Sequence, residues 1–170
     1  MNSKALIGIS IVVNFIACSR ILQLYIWPRL RRMSREDALN ALVIPHIFRF
    51  MGLSFLMPGI VSPLLTPQFA KPAAYGDFIA ALLAIVASYA LSARASWAVA
   101  MLWILNIEGT ADLLFAYYQG TIGIGLPPGV LGAAFYIPTV IVPPLLVSHA
   151  VMMWLLLQPK HRAQFAQTPA

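Results

Sequence analysis

Long apolar runs separated by short polar segments dominate the chain. A bilayer core of about 30 Å is crossed by about 20 apolar helical residues, and five runs approach or reach that length. The predicted spans are 5–27, 39–61, 77–93, 96–118 and 134–157. Inside a bilayer the backbone satisfies its hydrogen bonds only as helices or closed barrels. The pattern therefore predicts an all-α polytopic membrane bundle, one domain over 1–158 with a short cytoplasmic tail at 159–170.

Composition agrees with this class. Apolar residues make up 61% of the chain and charged residues 9%, which excludes an ordinary soluble domain. The net charge of +6 would suggest nucleic acid as the partner of a soluble protein, but here most of the basic residues lie in loops. We therefore predict a lipid bilayer and no nucleic acid as partner. The lone Cys18 lies within the first span, which we expect to be retained rather than cleaved.

The basic residues also predict an orientation, because cytoplasmic loops of membrane proteins are enriched in Lys and Arg. Alternating the five spans puts seven basic residues on one face and only Lys4 and Lys71 on the other. The seven are Arg29, Arg31, Arg32, Arg35, Arg94, Lys160 and Arg162. We predict an outside N-terminus and a cytoplasmic C-terminus in a cell membrane, most simply a bacterial inner membrane.

Residues 119–137 are uncharged and rich in glycine and proline. A sixth span here would move Lys160 and Arg162 outside, against the charge rule. We predict an outer segment that dips into or lies on the bundle. It would be either a lid over an outward-facing cavity or a passive interfacial loop.

Glu108 and Asp112 are the most informative residues, since each charge near the centre of a lone span costs roughly 2.5–3.5 kcal/mol. They share one stripe of the fourth span, about 40° apart on a helix of 3.6 residues per turn. A second polar stripe on the nearly opposite side contains Asn106, Thr110 and Tyr117. A helix that is polar on both sides is predicted to be central, with other helices around it.

Arg49 is the partner that depth suggests for these acids. Counted at 1.5 Å per residue from the cytoplasmic ends, Arg49 lies roughly 15 Å deep and Glu108 a little deeper. Arginine cannot neutralise itself by losing a proton, so we predict an Arg49–Glu108 ion pair. Asp112 would then be protonated, share a proton with Glu108, or face an outer aqueous cavity. A buried acid that holds a proton suits proton coupling or general acid catalysis.

His46 and His149 lie at a similar depth on different spans. Two such histidines could ligate a b-type haem, could extend a proton path from Asp112 through Glu108, or could be structural. We predict no haem and no other cofactor. Pro45 interrupts the second span and Pro143-Pro144 interrupts the fifth beside these histidines, and interrupted helices beside ionisable groups are found in many transporter binding sites. The third span carries a ladder of small residues that would pack against a helix of the same chain or of a second protomer. The ladder is Gly76, Ala80, Ala84, Ser88 and Ser92.

Three functions follow from these observations. The first is a small membrane protein that binds or moves a small solute or protons at a polar intramembrane site. Its candidate residues are Arg49, Glu108, Asp112, Asn106, His46 and His149. The second is a membrane-embedded enzyme that acts on a lipid or isoprenoid through a buried acid. The third is an accessory subunit of a membrane complex, with purely structural polar groups.

Overall fold

The computed structural model describes residues 2–159, and within them the chain is helical without a strand. Five helices are long and apolar enough to cross a membrane, which confirms the predicted all-helical class and the number of such helices. They are α1 (Ser3–Leu30), α2 (Arg35–Leu56), α3 (Pro67–Ser92), α4 (Ala98–Gly123) and α5 (Ile137–Leu157).

Helices α2 to α5 form a closed ring. Each packs against its neighbours in the chain, and α2 also packs against α5. Helix α1 lies outside this ring along α5, and its first nineteen residues, Ser3–Ile21, include no buried residue. The ring therefore encloses the core, and α1 is a peripheral addition to it.

The two ends of the bundle differ in charge. The last turn of α1 carries Arg29, and the α1–α2 and α3–α4 connections carry Arg31, Arg32 and Arg94; we call this the basic end. Arg35 joins the start of α2 to the end of α5 there, because its guanidinium donates to the carbonyl oxygens of Leu155 and Leu156, at 3.1 Å each. The longer connections, 57–66 and 124–136, form the loop end. Lys160 and Arg162, on which the predicted orientation also depended, lie outside the described residues.

Helix α2 changes its geometry halfway. It is an α-helix through Ile47 and a 3₁₀ helix over Phe48–Leu56. Pro45 precedes the change and has no N–H to continue the α-helical ladder. A 3₁₀ helix has three residues per turn, so residues three apart lie above one another. His46, Arg49, Gly52 and Phe55 are accordingly all buried on one side of α2.

Helix α3 begins ten residues before its predicted start. Pro67 occupies its first position, and the hydroxyl of Thr66 accepts a hydrogen bond from the backbone N–H of Gln68. Threonine before proline is a favourable helix start because it satisfies one of the free N–H groups. Asp77, predicted to begin the span, consequently lies inside the helix and is only 6% exposed.

Helix α5 contains Pro143 and Pro144, which deprive the carbonyl groups one turn earlier of their donors. Those carbonyl groups belong to Thr139 and Val140. The amide of Asn14 donates to both, at 2.8 and 2.9 Å. This side chain therefore joins the peripheral α1 to the ring.

Residues 124–136 return across the loop end without forming a long helix. A 3₁₀ helix, Pro128–Phe135, packs on the 57–66 connection. The carbonyl of Val130 accepts from the N–H of Ser62 at 3.0 Å, and that of Ile60 accepts from the N–H of Ala133 at 2.9 Å. Gly132 has φ +53°, and a Cβ there would overlap the Ile60 carbonyl. Residues 124–136 therefore lie on the bundle, one of the two predicted positions, whereas 119–123, predicted as part of the same segment, continue α4.

The small-residue ladder of α3 packs within the chain. Ala80 and Ala84 are fully buried. The hydroxyl of Ser88 donates to Asn40 of α2 at 2.8 Å. This is the first of the two predicted alternatives. The second, contact with another protomer, stays a prediction.

The core has three layers along the bundle axis. An apolar cluster near the basic end includes Leu39, Val43, Ala84 and Leu102. A second apolar cluster near the loop end gathers residues such as Phe55 and Phe69. Between them lies a layer of buried polar side chains. The layer contains His46, Arg49, Asp77, Asn106 and His149, with the half-buried Glu108 and Asp112 beside it.

Candidate functional site

Arg49 is the centre of the polar layer. Its side chain has no solvent-accessible surface, and it ion-pairs with two aspartates on different helices. Nε donates to Asp77 of α3 at 2.8 Å, and one terminal nitrogen donates to Asp112 of α4 at 2.5 Å. The other terminal nitrogen donates to the carbonyl of Gly109 at 3.3 Å. The guanidinium thus joins α2, α3 and α4.

The predicted Arg49–Glu108 pair is wrong. Within residues 2–159 both ion pairs of the structure use Arg49, and neither involves Glu108. Glu108 is half-buried, and its Oε2 is buried without a hydrogen-bond partner among the described residues. Asp112, one turn closer to the loop end, is the acid of α4 that forms the ion pair with Arg49 instead of Glu108.

Asp77 is the site residue that the sequence prediction missed. It was predicted to be the first residue of the third span, because the residues before it include Lys71, Pro72 and Gly76. Thr66-Pro67 was the available signal, since that pair starts the helix early enough to put Asp77 in its interior. A buried arginine that needs several acceptors was a second reason to look for another acid.

Three glycines on three helices make room for this network. A Cβ on Gly52 of α2 would overlap the Asp77 carboxylate, and one on Gly76 of α3 would overlap that of Asp112. A Cβ on Gly109 of α4 would lie 2.6 Å from both an Arg49 terminal nitrogen and His149 Nε2. Side chains are absent at these positions because charged groups occupy the space.

The second polar stripe of α4 faces α5. Asn106 Oδ1 lies 2.8 Å from His149 Nδ1, and both residues are almost fully buried. An amide oxygen only accepts, so His149 Nδ1 donates and its Nε2 is a bare acceptor. On the same side of α4, the Tyr117 hydroxyl donates to the Pro138 carbonyl at 2.6 Å.

The two polar stripes of α4 thus face two neighbours, α3 and α5. A third face, apolar, remains exposed through Ile104, Ile107, Leu114, Phe115 and Tyr118. Helix α4 is therefore not central to the bundle as predicted, although both of its polar stripes do face inward.

His46 has a different partner. Its Nε2 lies 2.6 Å from Ser148 Oγ, whose hydroxyl donates to the carbonyl of Leu145. When the serine hydrogen is used in that bond, His46 Nε2 donates and its Nδ1 is a bare acceptor; when the serine hydrogen points to the imidazole instead, Nδ1 carries the ring hydrogen. The layer therefore contains four buried polar atoms without a partner among residues 2–159. They are His46 Nδ1, His149 Nε2, Glu108 Oε2 and Asn106 Nδ2.

The two imidazoles lie against one another, with ring centroids 4.1 Å apart. Axial haem ligation needs the macrocycle between two rings, and this contact leaves no room for it. Within the described residues, no three His, Cys, Asp or Glu side chains are grouped closely enough to hold a metal ion.

Cavities approach the layer from the loop end. A cavity of about 290 Å³ lies between α1 and α4, with Leu126, Pro128 and Leu131 over it. It shares Phe69 and Tyr117 with a second cavity, of about 40 Å³, whose lining includes Asp77 and Asp112. Forty cubic ångströms is more than the roughly 10–15 Å³ that one water molecule requires. The ionic network therefore meets open space at its two aspartates.

Comparison with known proteins gives a family without a described activity. The family described as "Domain of unknown function (DUF8737)" matches residues 6–157, so the chain belongs to it. No curated protein and no solved structure matches the chain.

The ionic network predicts how neutralising variants behave. Arg49→Met should lower the folded yield, because truncating one partner of a buried ion pair typically costs about 3–5 kcal/mol. The triple variant Arg49→Met/Asp77→Asn/Asp112→Asn removes all three charges and should recover part of the loss. Fluorescence-detected size exclusion in detergent measures both. Glu108→Gln should lower the yield less than Arg49→Met, and an equal loss would contradict the network described above.

The close packing around Gly109 leads to a second prediction, a steric effect of an added side chain at the same site. Gly109→Ala should destabilise the protein by about 1–3 kcal/mol, the range for overpacking a well-filled interior, because its Cβ lies 2.6 Å from two charged or polar atoms. The matched control is Gly120→Ala on the same helix, whose Cβ would meet Phe69 at an ordinary 3.5 Å. Thermal unfolding in detergent should separate the two variants, and equal melting temperatures would contradict the close packing.

Proposed function

We propose that this chain is an integral membrane protein that binds a small solute in exchange for protons at a site within the membrane. Asp112 is the exchanging group, and Arg49 and Asp77 hold it in place. His46, Asn106, His149 and Glu108 complete the polar layer. The observation that carries the proposal is a single buried arginine among three acids, open to a cavity on one side.

Charge balance is the first support. Arg49 carries one positive charge, whereas Asp77, Glu108 and Asp112 together carry three negative charges when ionised. Two uncompensated charges in an apolar interior are strongly unfavourable, because attraction by solvent is lost and repulsion between acids is poorly screened. The layer is therefore most stable when it holds a proton or another cation.

The unpartnered atoms point in the same direction. Two of them, on His149 and Glu108, are acceptors and one, on Asn106, is a donor; His46 Nδ1 is either, according to the ring tautomer. A buried acceptor without a donor is unfavourable by about 1–3 kcal/mol. Added protons, or a small molecule that brings donors, would satisfy these atoms. A purely structural polar layer would leave fewer of them unpartnered.

Access from one side supports exchange with one compartment. Asp112 borders two small cavities at the loop end, of about 40 and 10 Å³. Toward the basic end the layer meets the apolar cluster of Leu39, Val43 and Leu102, each at most 1% exposed. A proton at Asp112 would therefore exchange with the loop end in this conformation. Delivery to the other compartment would require a conformational change.

The arginines of the basic end support its location on the cytoplasmic side of the membrane, since the described chain puts five of the seven predicted cytoplasmic basic residues there. The loop end, with Lys4 and Lys71, would then face outward. In this orientation the cavities open toward the outside.

Enzyme fusions test the orientation. Alkaline phosphatase, which is active only outside the cytoplasm, should be active when fused within 119–129 and inactive when fused after Leu157. The physical reason is the retention of arginine-rich loops in the cytoplasm. The reverse pattern would contradict the proposed orientation.

Infrared difference spectroscopy tests proton exchange directly. As the pH falls, the C=O band of a protonated carboxylic acid should appear in the membrane-embedded protein. It should disappear again as the pH rises. Asp112→Asn should remove this band, and the control Glu36→Gln, on an exposed acid of the basic end, should retain it. A band that persists unchanged in Asp112→Asn would contradict the assignment of the exchanging group.

One observation favours a second function. The larger cavity is mostly apolar, which also suits a membrane-embedded enzyme that acts on a lipid or isoprenoid with Asp112 as general acid. Mass spectrometry of what copurifies with the protein distinguishes the two. An enzyme would convert the retained molecule on incubation, whereas a binding or transport protein would release it unchanged.

A further inference from the structure

The cavity between α1 and α4 has the size of a small-molecule site. Its volume is about 290 Å³, close to the lower end of the roughly 300–1,000 Å³ typical of ligand pockets. Ile7 and Ile11 of α1 and Leu131 of the 3₁₀ helix give it apolar walls. Such walls favour an apolar body over a fully hydrated ion.

This cavity shares part of its wall with the cavity that borders the acids. Phe69, Ala116 and Tyr117 border both the larger cavity and the smaller one, and the smaller one is also lined by Asp77 and Asp112. A molecule whose apolar part fills the larger cavity therefore has one end against the wall that separates it from the two carboxylates. Aromatic rings at the junction also favour a positive charge over a negative one.

Charge decides which end group fits. The acids outnumber the one buried arginine, so an anion placed beside Asp112 would be repelled and a cation attracted. Lys4 also lines the larger cavity, but it is exposed at the start of α1. The charge of an exposed lysine is screened by water and has little effect, so the buried acids dominate.

We infer that this cavity binds an amphiphilic cation, a molecule with a compact apolar body and one ammonium-like charge. The charged end lies against Asp112, and the apolar body lies between α1 and α4. The cation takes the place of the exchangeable proton, so binding releases about one proton. The inference rests on the proposed function, and it names the class of solute.

Calorimetry on the full-length protein in lipid nanodiscs tests this inference. The probe is benzyltrimethylammonium, compared with its uncharged carbon analogue neopentylbenzene and with the anion benzenesulfonate. The cation should bind and the other two should not. Its affinity should fall about tenfold for each pH unit over which Asp112 is protonated, because one proton is exchanged. In buffers of different ionisation enthalpy the observed binding enthalpy should differ, because the buffer takes up the one proton that binding releases.

Two variants test separately how the charge and the apolar cavity contribute to binding of the cation. Asp112→Asn should weaken binding of the cation about tenfold or more and abolish proton release, whereas Glu36→Gln should do neither. Gly8→Leu should fill the cavity, since Gly8 lines it and a Cβ there would meet no atom within 4 Å. Its control is Ala17→Leu, at an exposed position elsewhere on the same helix. Gly8→Leu should weaken binding while the infrared band of Asp112 persists.

The outcomes distinguish this inference from the proposed function. Loss of cation binding in both Asp112→Asn and Gly8→Leu, with both controls intact, supports the inference. Equal binding of the cation and its neutral analogue, or binding unaffected by Gly8→Leu, overturns it. If the Asp112 band titrates but the cation does not bind, only the inference fails. If no Asp112 band titrates, the proposed proton exchange fails, whatever binds in the cavity.

Discussion

The buried guanidinium of Arg49 is the constraint on which the rest of the structure depends. Arginine keeps its charge even in an apolar interior, so a folded chain that buries it must supply acceptors. Asp77 and Asp112 supply them from two neighbouring helices, and the Gly109 carbonyl supplies a third. Since the partners come from α3 and α4, one side chain of α2 determines how three helices approach one another.

The local geometry of α2 follows from the same requirement. Pro45 interrupts the α-helical ladder, and the 3₁₀ turns that follow align Arg49 with Gly52. The missing side chain at Gly52 leaves the space that the Asp77 carboxylate occupies. A regular α-helix would place residues three apart about 60° away from one another, since each residue turns about 100°. The 3₁₀ geometry thus brings the arginine and the space for its acid partner to one face.

The sequence was sufficient for the coarse structure and insufficient for the pairing. Apolar runs predicted five long helices, and the acids and the arginine within them identified the polar layer. Depth counting then paired Arg49 with Glu108 because it started the two spans at residues 39 and 96. The helices begin at Arg35 and Ala98, so Arg49 and Asp112 each lie fourteen residues beyond the start of their helix at the basic end. Asp77 was missed for a related reason, the late start assigned to its helix.

Glu108 shows why the layer suits exchange better than rigid support. A network built only for stability would match its charges and leave no buried acceptor without a donor. Here Arg49 uses its donors on the two aspartates and a carbonyl, and Glu108 Oε2 has no partner within the described chain. The unpartnered ring nitrogens of His46 and His149 lie in the same layer. A proton that leaves Asp112 therefore has other buried acceptors in the same layer. This supports a site that gains and loses positive charge while Arg49 and Asp77 keep the helices in place.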